Sequence, residues 1–274
     1  MDITSLKIIN NFNDDLYIRS FRRTDLQSWT SKTNFGVEQA EGDRICMLHD
    51  DDFWLPNRSV EIRKWLSTQP DAVIHLHSCY IVDEAGKQLG LLSCPLPGDG
   101  SPIPTHTLFE RLLVQNFIAT PAPTIRRDAY LTVGGLDDLL WYTADWDFYM
   151  KIALIGNIFY HSDPLACYRV HKNSLTALGS KDSTDFRNQH RIIIDRYAEK
   201  LSPEYRKTVL PIAEASIEVN VALAAVLAGK LSPLVKAIAS ILALGPRGIR
   251  QYLFCSRIVD RLIPRLRALV VGRL

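Results

Sequence analysis

Three consecutive carboxylates, Asp50-Asp51-Asp52, follow directly on the apolar run Ile45-Cys-Met-Leu-His49. Like charges a few ångströms apart raise one another's pKa, so such a cluster at the end of a buried strand is favourable when a cation neutralises it. Oxygen donors of this kind suit Mg²⁺ or Mn²⁺, ions that keep some of their waters and share a site with substrate phosphates. A solvated turn whose acids face water is the other reading of the same triplet.

The elements around the triplet predict an α/β unit. Residues 45–49 read as a buried strand whose C-terminal end delivers polar groups to a crevice, the edge at which open α/β sheets place ligands. Residues 16–21 alternate as a strand, and Thr24 and Asp25 are placed to cap a helix running to about Ala40, with Gly42 beyond its end. A helix from Pro56, a strand over 72–82 and a turn at 83–86 come next, followed by an exposed Pro/Gly-rich loop over 94–104. Helices are predicted over 105–116, 127–132 and 146–155, extended chain over 121–126, and strands over 158–160 and 165–170. After about residue 183 only helical periodicity remains, over 186–200, 204–229, 233–244 and 248–271. The pattern divides the chain into an α/β domain, 1–182, and an all-helical C-terminal region, 183–274.

Composition narrows the class. The 274 residues are 47% hydrophobic and 23% charged, with a net charge of only +2, which fits a folded globular protein and argues against nucleic-acid binding by the whole chain. Charge is unevenly spread: seven arginines against Asp260 after residue 246 give that end +6 and leave −4 on the rest. With Ile249, Leu253, Ile258, Leu262, Leu266 and Leu269 interspersed, residues 247–273 read either as a basic amphipathic helix for an anionic membrane surface or as a helix packed on the domain with solvated arginines. No aromatic platform interleaves these arginines, so no nucleic-acid partner is expected. The five scattered cysteines suit a reducing compartment. No secretory signal is expected at the N-terminus, and no membrane span within 219–245, where polar residues interrupt the apolar runs.

Three blocks, in order, resemble family 2 glycosyltransferases. The first is Asn34-Phe-Gly36-Val-Glu-Gln-Ala40-Glu-Gly42-Asp43-Arg-Ile45-Cys-Met-Leu48-His-Asp50-Asp51-Asp52-Phe-Trp54-Leu-Pro56, similar to the family's N-x-G-x-x-x-A-x-G-D-x-I-x-x-L-D-x-D-D-x-W-x-P. The second runs from Gly134-Gly135-Leu136-Asp137-Asp138 to Ala144-Asp145-Trp146-Asp147, and the third is Tyr168-Arg169-Val-His171-Lys-Asn-Ser174. The resemblance covers roughly residues 16–176 and implies a GT-A-like, Rossmann-like mixed sheet. It also implies metal-assisted, inverting transfer of a sugar from a nucleoside diphosphate sugar to a saccharide or lipid-linked acceptor. Polysaccharide or cell-envelope synthesis in the cytoplasm, at the inner face of the membrane, would suit it.

The resemblance also distributes roles. Asp51 would bind Mn²⁺ or Mg²⁺, with Asp50 near the ribose. His49 stands where many members have the first Asp, and is either a ligand or a cap on the strand. Asp145 matches the general base, a carboxylate needed because a hydroxyl is a poor nucleophile at neutral pH. Asp147 is the alternative base, although two residues further on it is better placed to face its helix or an interdomain contact, and Ala144 replaces the family's Glu. Arg169 and His171 would close on the departing diphosphate, where positive charge counts most in the transition state. Gly134 and Gly135 would form a tight turn below the acceptor pocket, and Trp141 an acceptor platform or core packing. The elements that open complete members, a P-x-Y-N-like strand end and a D-D-G/S motif, have no counterpart, so the resemblance implies a domain shortened at its N-terminus. That shortening and Ala144 motivate the alternative of a non-catalytic scaffold. A metal-dependent phosphohydrolase is a weaker rival, since no second metal-ligand cluster accompanies the aspartates.

Overall fold

The computed structural model describes residues 11–12, 16–171, 174–175, 179, 182–227 and 229–270. A seven-stranded mixed sheet lies at its centre. The strands are β1 (Arg44–Ile45), β2 (Phe53–Trp54), β3 (Ile74–Val82), β4 (Gln88–Leu92), β5 (Asp99–Pro102), β6 (Thr124–Arg126) and β7 (Ile158–Arg169). The main path runs β1-β6-β3-β7-β2, with β4 on β3 and β5 on β7. β3 and β7 are parallel, and the other pairings are antiparallel. All but one residue of β3 is buried, which is why its sequence is a near-continuous apolar run with histidines rather than an alternation.

Several predicted elements need correction. Residues 16–21 form no strand: Leu16, Tyr17 and Phe21 are exposed and no ladder partner flanks them among the described residues. Helix α1 (Trp29–Gln39) begins later than predicted, capped by Ser28, whose side chain accepts from Ser31 N. Asp25 is instead held by the Arg23 guanidinium at 2.6 Å. Of the predicted 45–49 strand only Ile45 pairs, joined by Arg44 before it, and with β6 alone. The 94–104 segment is no exposed loop: it carries β5, and Cys94, Leu96 and Ile103 are buried. The two strands foreseen at 158–170 are one, because a bulge absorbs Ser162 and Asp163 between the His77–His161 and Ser78–Pro164 pairs.

The helices are α2 (Arg58–Thr68), α3 (Thr105–Val114), α4 (Arg127–Thr132), α5 (Ala144–Ile152), α6 (Ser183–Tyr197), α7 (Pro203–Leu227), α8 (Pro233–Ala243), α9 (Gly245–Ser256) and α10 (Ile258–Val270). The helix predicted over 248–271 is two, broken at Arg257, whose φ of 49° is left-handed. The helical region is not set apart from the sheet. Phe186, Ile193, Val209, Ile212 and Tyr252 share one buried cluster with Ile74, Leu76 and Leu112. α7 is long and apolar enough to cross a membrane, contrary to the expectation from interrupted runs, yet two-thirds of its apolar stretch is buried in the protein. α10 lies against β4 so closely that a Cβ on Gly90 would meet Pro264 Cγ at 2.5 Å.

Candidate active site

A cavity of about 570 Å³ opens at the C-terminal end of the parallel β3–β7 pair, with Ile81, Tyr168 and Val170 in its wall. The acidic triplet sits in the turn between β1 and β2, and β2 is fastened to β7 through Phe53–Cys167 and Trp54–Ala166. His49, Asp50, Asp51 and Asp52 all line the cavity, together with Asp145, Trp141 and His171. The chain therefore brings together residues from all three motif blocks.

His49, Asp51 and Asp52 each offer a donor atom, and these atoms lie within 4.8 Å of one another. Asp50 is exposed at the cavity rim. Nε2 of His171 contacts Oδ2 of Asp51 at 2.9 Å. Asp52 is buried and accepts the Arg169 amide at 2.9 Å. Burial pushes its carboxyl up to about 7, against the pull of that hydrogen bond. An acid so desolvated gains from a nearby cation. One imidazole and two carboxylates form a donor set weighted toward hard ions such as Mn²⁺ and Mg²⁺, so the residues present fit the ion that the motif implies. His49 also stands edge-on to Trp29, with ring centroids 5.7 Å apart.

Arg169 lies beside this cluster but turns its guanidinium to the backbone. Nε donates to the Asp51 carbonyl at 2.7 Å, and Nη1 donates to Asp83 and Glu84 carbonyls at 2.7 and 2.9 Å. It ties the acidic turn to the β3–β4 turn, and it is not among the residues lining the cavity. Gly135 is likewise outside the lining. Its φ is +65°, and a Cβ there would meet Asn34 Oδ1 at 2.5 Å. That same oxygen accepts Tyr130 Oη at 2.6 Å and Leu136 N at 2.9 Å, so the Asn of the first block holds the glycine turn of the second.

Asp145 opens α5. Its Oδ1 accepts Trp146 N at 2.8 Å, and its Oδ2 accepts Asn116 Nδ2 at 3.1 Å. Burial pushes the carboxyl up to about 6, and the two hydrogen bonds restrain the rise. Asp147 points the other way, into a buried cluster where Tyr197 Oη donates to it at 2.7 Å and Arg196 and Lys151 each approach to 3.0 Å. Two residues along a helix is a turn of about 200°, which separates the two acids onto opposite faces. Trp141 lines the cavity, with its Nε1 donating to Asp185 at 2.5 Å.

Asn116, Arg261 and Arg265 also line the cavity; sequence reasoning passed over all three. The only signal for Asn116 was a polar residue just past a predicted helix end, and the arginines were read as part of a surface stripe. A hydrogen-bonded chain joins the two sides. Asn116 O accepts Gln115 Nε2 at 3.3 Å, Gln115 Oε1 accepts Asn220 Nδ2 at 2.7 Å, and Asn220 Oδ1 accepts Arg261 Nη2 at 3.3 Å. The helical region thus supplies one wall of the cavity.

The family model described as "Glycosyltransferase like family 2" matches residues 2–193. A Haemophilus influenzae protein described as an uncharacterized glycosyltransferase is 27% identical over 129 residues, 46% of this chain and 41% of that protein. The chain thus spans about two-fifths of the length of this curated relative. Among solved structures, residues 1–349 of Staphylococcus aureus TarS superpose with a TM-score of 0.60 at 17% identity, covering 89% of this chain and 69% of that one. A Pyrobaculum calidifontis mannosyltransferase, solved with GDP-Man and Mn²⁺, gives 0.50 at 16% identity, covering 97% and 73%. These likenesses establish the GT-A-like mixed α/β fold.

Proposed function

The chain belongs to glycosyltransferase-like family 2, and from that premise we propose that it transfers a sugar from a nucleoside diphosphate sugar to a saccharide or lipid-linked acceptor, with inversion. The observation that carries this reading is the sharing of one cavity by Asp145 and the Asp51–His171 pair. In the reaction the acceptor oxygen attacks the anomeric carbon, its proton passes to the Asp145 carboxylate, and the bond to the diphosphate breaks on the opposite face. A carboxyl held at about 6 is mostly ionised at neutral pH yet basic enough to take that proton as the new bond forms.

Asp51, with His49 and Asp52, is the set we assign to Mn²⁺ or Mg²⁺. When bound, such an ion supplies positive charge against the departing diphosphate. His171 holds the Asp51 carboxylate and faces the same charge, while Asp50 lies at the rim for the ribose. Arg169 acts as a positioning residue, holding the acidic turn through its carbonyl contacts. Trp141 is offered to the acceptor, and Gly135 shapes the turn on which Asn34 closes. The Mn²⁺ and GDP-Man named for the mannosyltransferase support a nucleotide-sugar donor and a divalent ion.

We place this work in the cytoplasm at the inner face of the membrane, in the synthesis of envelope polysaccharide. The five unpaired cysteines suit a reducing compartment, and within residues 247–273 the exposed Arg247, Arg250 and Arg267 beside exposed Leu253, Phe254 and Leu266 are the groups we offer to an anionic bilayer surface. Calorimetric titration of the full chain with UDP or GDP tests the donor site directly. Binding that requires Mn²⁺ is the expected result, and no heat from a folded sample with either nucleotide would favour the non-catalytic scaffold.

A further inference from the structure

The C-terminal helix puts cationic charge into a cavity whose carboxylates, Asp50, Asp51, Asp52 and Asp145, form no direct ion pair with it. Arg261 and Arg265 both line it, one turn apart on α10. The acid on that helix, Asp260, is occupied by Arg257 at 2.6 Å. Among the described residues neither Arg261 nor Arg265 forms an ion pair, and Arg261 Nη1 is buried with no hydrogen-bond partner. Arg265 spends Nη1 on the Arg261 carbonyl at 3.0 Å. Burial lowers the Arg261 pKa, and the neighbouring Arg265 lowers it further, while the groups opposing this are the phenols of Tyr142, Tyr252 and Tyr168. Both side chains are half-buried, and a desolvated guanidinium nitrogen without a partner, as at Arg261 Nη1, is costly, so a site that keeps the two arginines together favours an anion.

Which anion follows from position. Asp51, Asp52 and His49 gather at one part of the cavity. Tyr168 in the cavity wall has a phenol that interacts with Arg265 and also with Asp52, Asp51 and Asp145. Arg261 is tied through Asn220, Gln115 and Asn116 to Asp145, and so belongs to the side from which the hydroxyl must approach. Guanidinium groups recognise phosphate oxygens by paired, charge-assisted hydrogen bonds. We propose that Arg261 and Arg265 bind a phosphate ester carried by the acceptor, so that the hydroxyl to be glycosylated belongs to a phosphorylated polyol, saccharide or lipid. The acceptor assignment rests on the glycosyltransferase reading above; the phosphate site itself does not.

Glycerol 3-phosphate, with glycerol as the uncharged control, is the probe. Calorimetric titration of the full chain is expected to detect glycerol 3-phosphate and not glycerol, with and without saturating UDP and Mn²⁺. Arg265→Gln, which leaves the Arg261–Asn220 contact in place, is expected to weaken binding about tenfold or more. Arg250→Gln, on the exposed face of α9, is expected to leave it unchanged. Equal binding of glycerol, or an unchanged Arg265→Gln variant, overturns the proposal. Loss of glycerol 3-phosphate binding once UDP and Mn²⁺ are present would give the arginines to the donor diphosphate and overturn the acceptor assignment. If UDP and Mn²⁺ fail to bind but glycerol 3-phosphate still depends on Arg265, the phosphate site stands and the donor reading falls. Sedimentation with phosphatidic acid vesicles separates the sources: co-sedimentation that Arg265→Gln abolishes marks a lipid phosphate, and binding of glycerol 3-phosphate alone marks a soluble one.

Discussion

Asn116 Nδ2 donates to Asp145 Oδ2 across 3.1 Å, joining the loop after α3 to the first turn of α5. The bond stabilises the ionised form of a carboxyl that burial otherwise drives toward neutrality. It makes Asn116 a positioning residue whose effect can be read in a titration.

With Asp145 at about 6, the rate should fall on the acid side as pH drops through that value, because the protonated carboxyl cannot accept the acceptor's proton. Removing Asn116 takes away a contact that lowers the pKa, so the acid limb of Asn116→Ala should move to higher pH. A pH profile of kcat/KM checks this. A variant that loses rate uniformly, with its acid limb unmoved, would show that Asn116 serves only the loop's structure.

The same carboxyl should cost stability. Its folded pKa is raised from 3.8 to about 6, so the penalty is absent below about pH 4, grows between the two values, and is complete above 6. Asp145→Asn removes the penalty but mismatches one of two hydrogen bonds, a loss of about 1 kcal/mol. The expected net gain is on the order of 1–2 kcal/mol at pH 8 and no gain at pH 4. Denaturant unfolding at the two pH values measures it, and a variant no more stable at pH 8 than at pH 4 relative to the parent would refute it.

Gly135→Ala places a methyl group 2.5 Å from Asn34 Oδ1 at a φ of +65°. Strain at such a position and the displaced Asn34 should together cost about 1–3 kcal/mol, seen as a lower Tm. Because Gly135 is outside the cavity lining, nucleotide affinity below the new Tm should change little.

Arg169→Ala removes the side-chain bonds from the Asp51 carbonyl and from the β3–β4 turn. The acidic turn should loosen, with Mn²⁺ binding weakened about tenfold or more, as for other residues that orient metal ligands. Arg169→Lys should recover little, since one ammonium cannot span the three carbonyls. Manganese electron paramagnetic resonance reads the free ion directly, and undiminished binding in Arg169→Ala would return the side chain to a role on the substrate.

The acidic triplet was legible as carboxylates following an apolar run, whereas Asp145 and His171 were legible only through the resemblance of their blocks to the family's motifs. The β2–β7 pairing brings the acidic turn beside His171, and helix α5 carries Asp145 into the same cavity. What stayed hidden depended on distant partners. The 16–21 alternation looks like a strand, but a strand needs a neighbour to accept its hydrogen bonds. Arg169 reads as a free cation, yet backbone carbonyls of residues 51, 83 and 84 take its donors. The arginines of α10 have the spacing of a solvated or membrane-facing stripe. The left-handed break at Arg257 and the close seat of Pro264 on Gly90 turn part of that stripe into the cavity, and no local pattern announces such a fold-back.

The most direct test of glycosyl transfer through Asp145 is product formation from a panel of UDP- and GDP-sugars with Mn²⁺, scored for release of the nucleoside diphosphate by the parent chain and by Asp145→Asn. Metal-dependent release by the parent, abolished by EDTA, restored by Mn²⁺ and reduced about 10²–10⁴-fold in Asp145→Asn, is the expected result. Equal release by the two chains would contradict the assignment of Asp145 as the base.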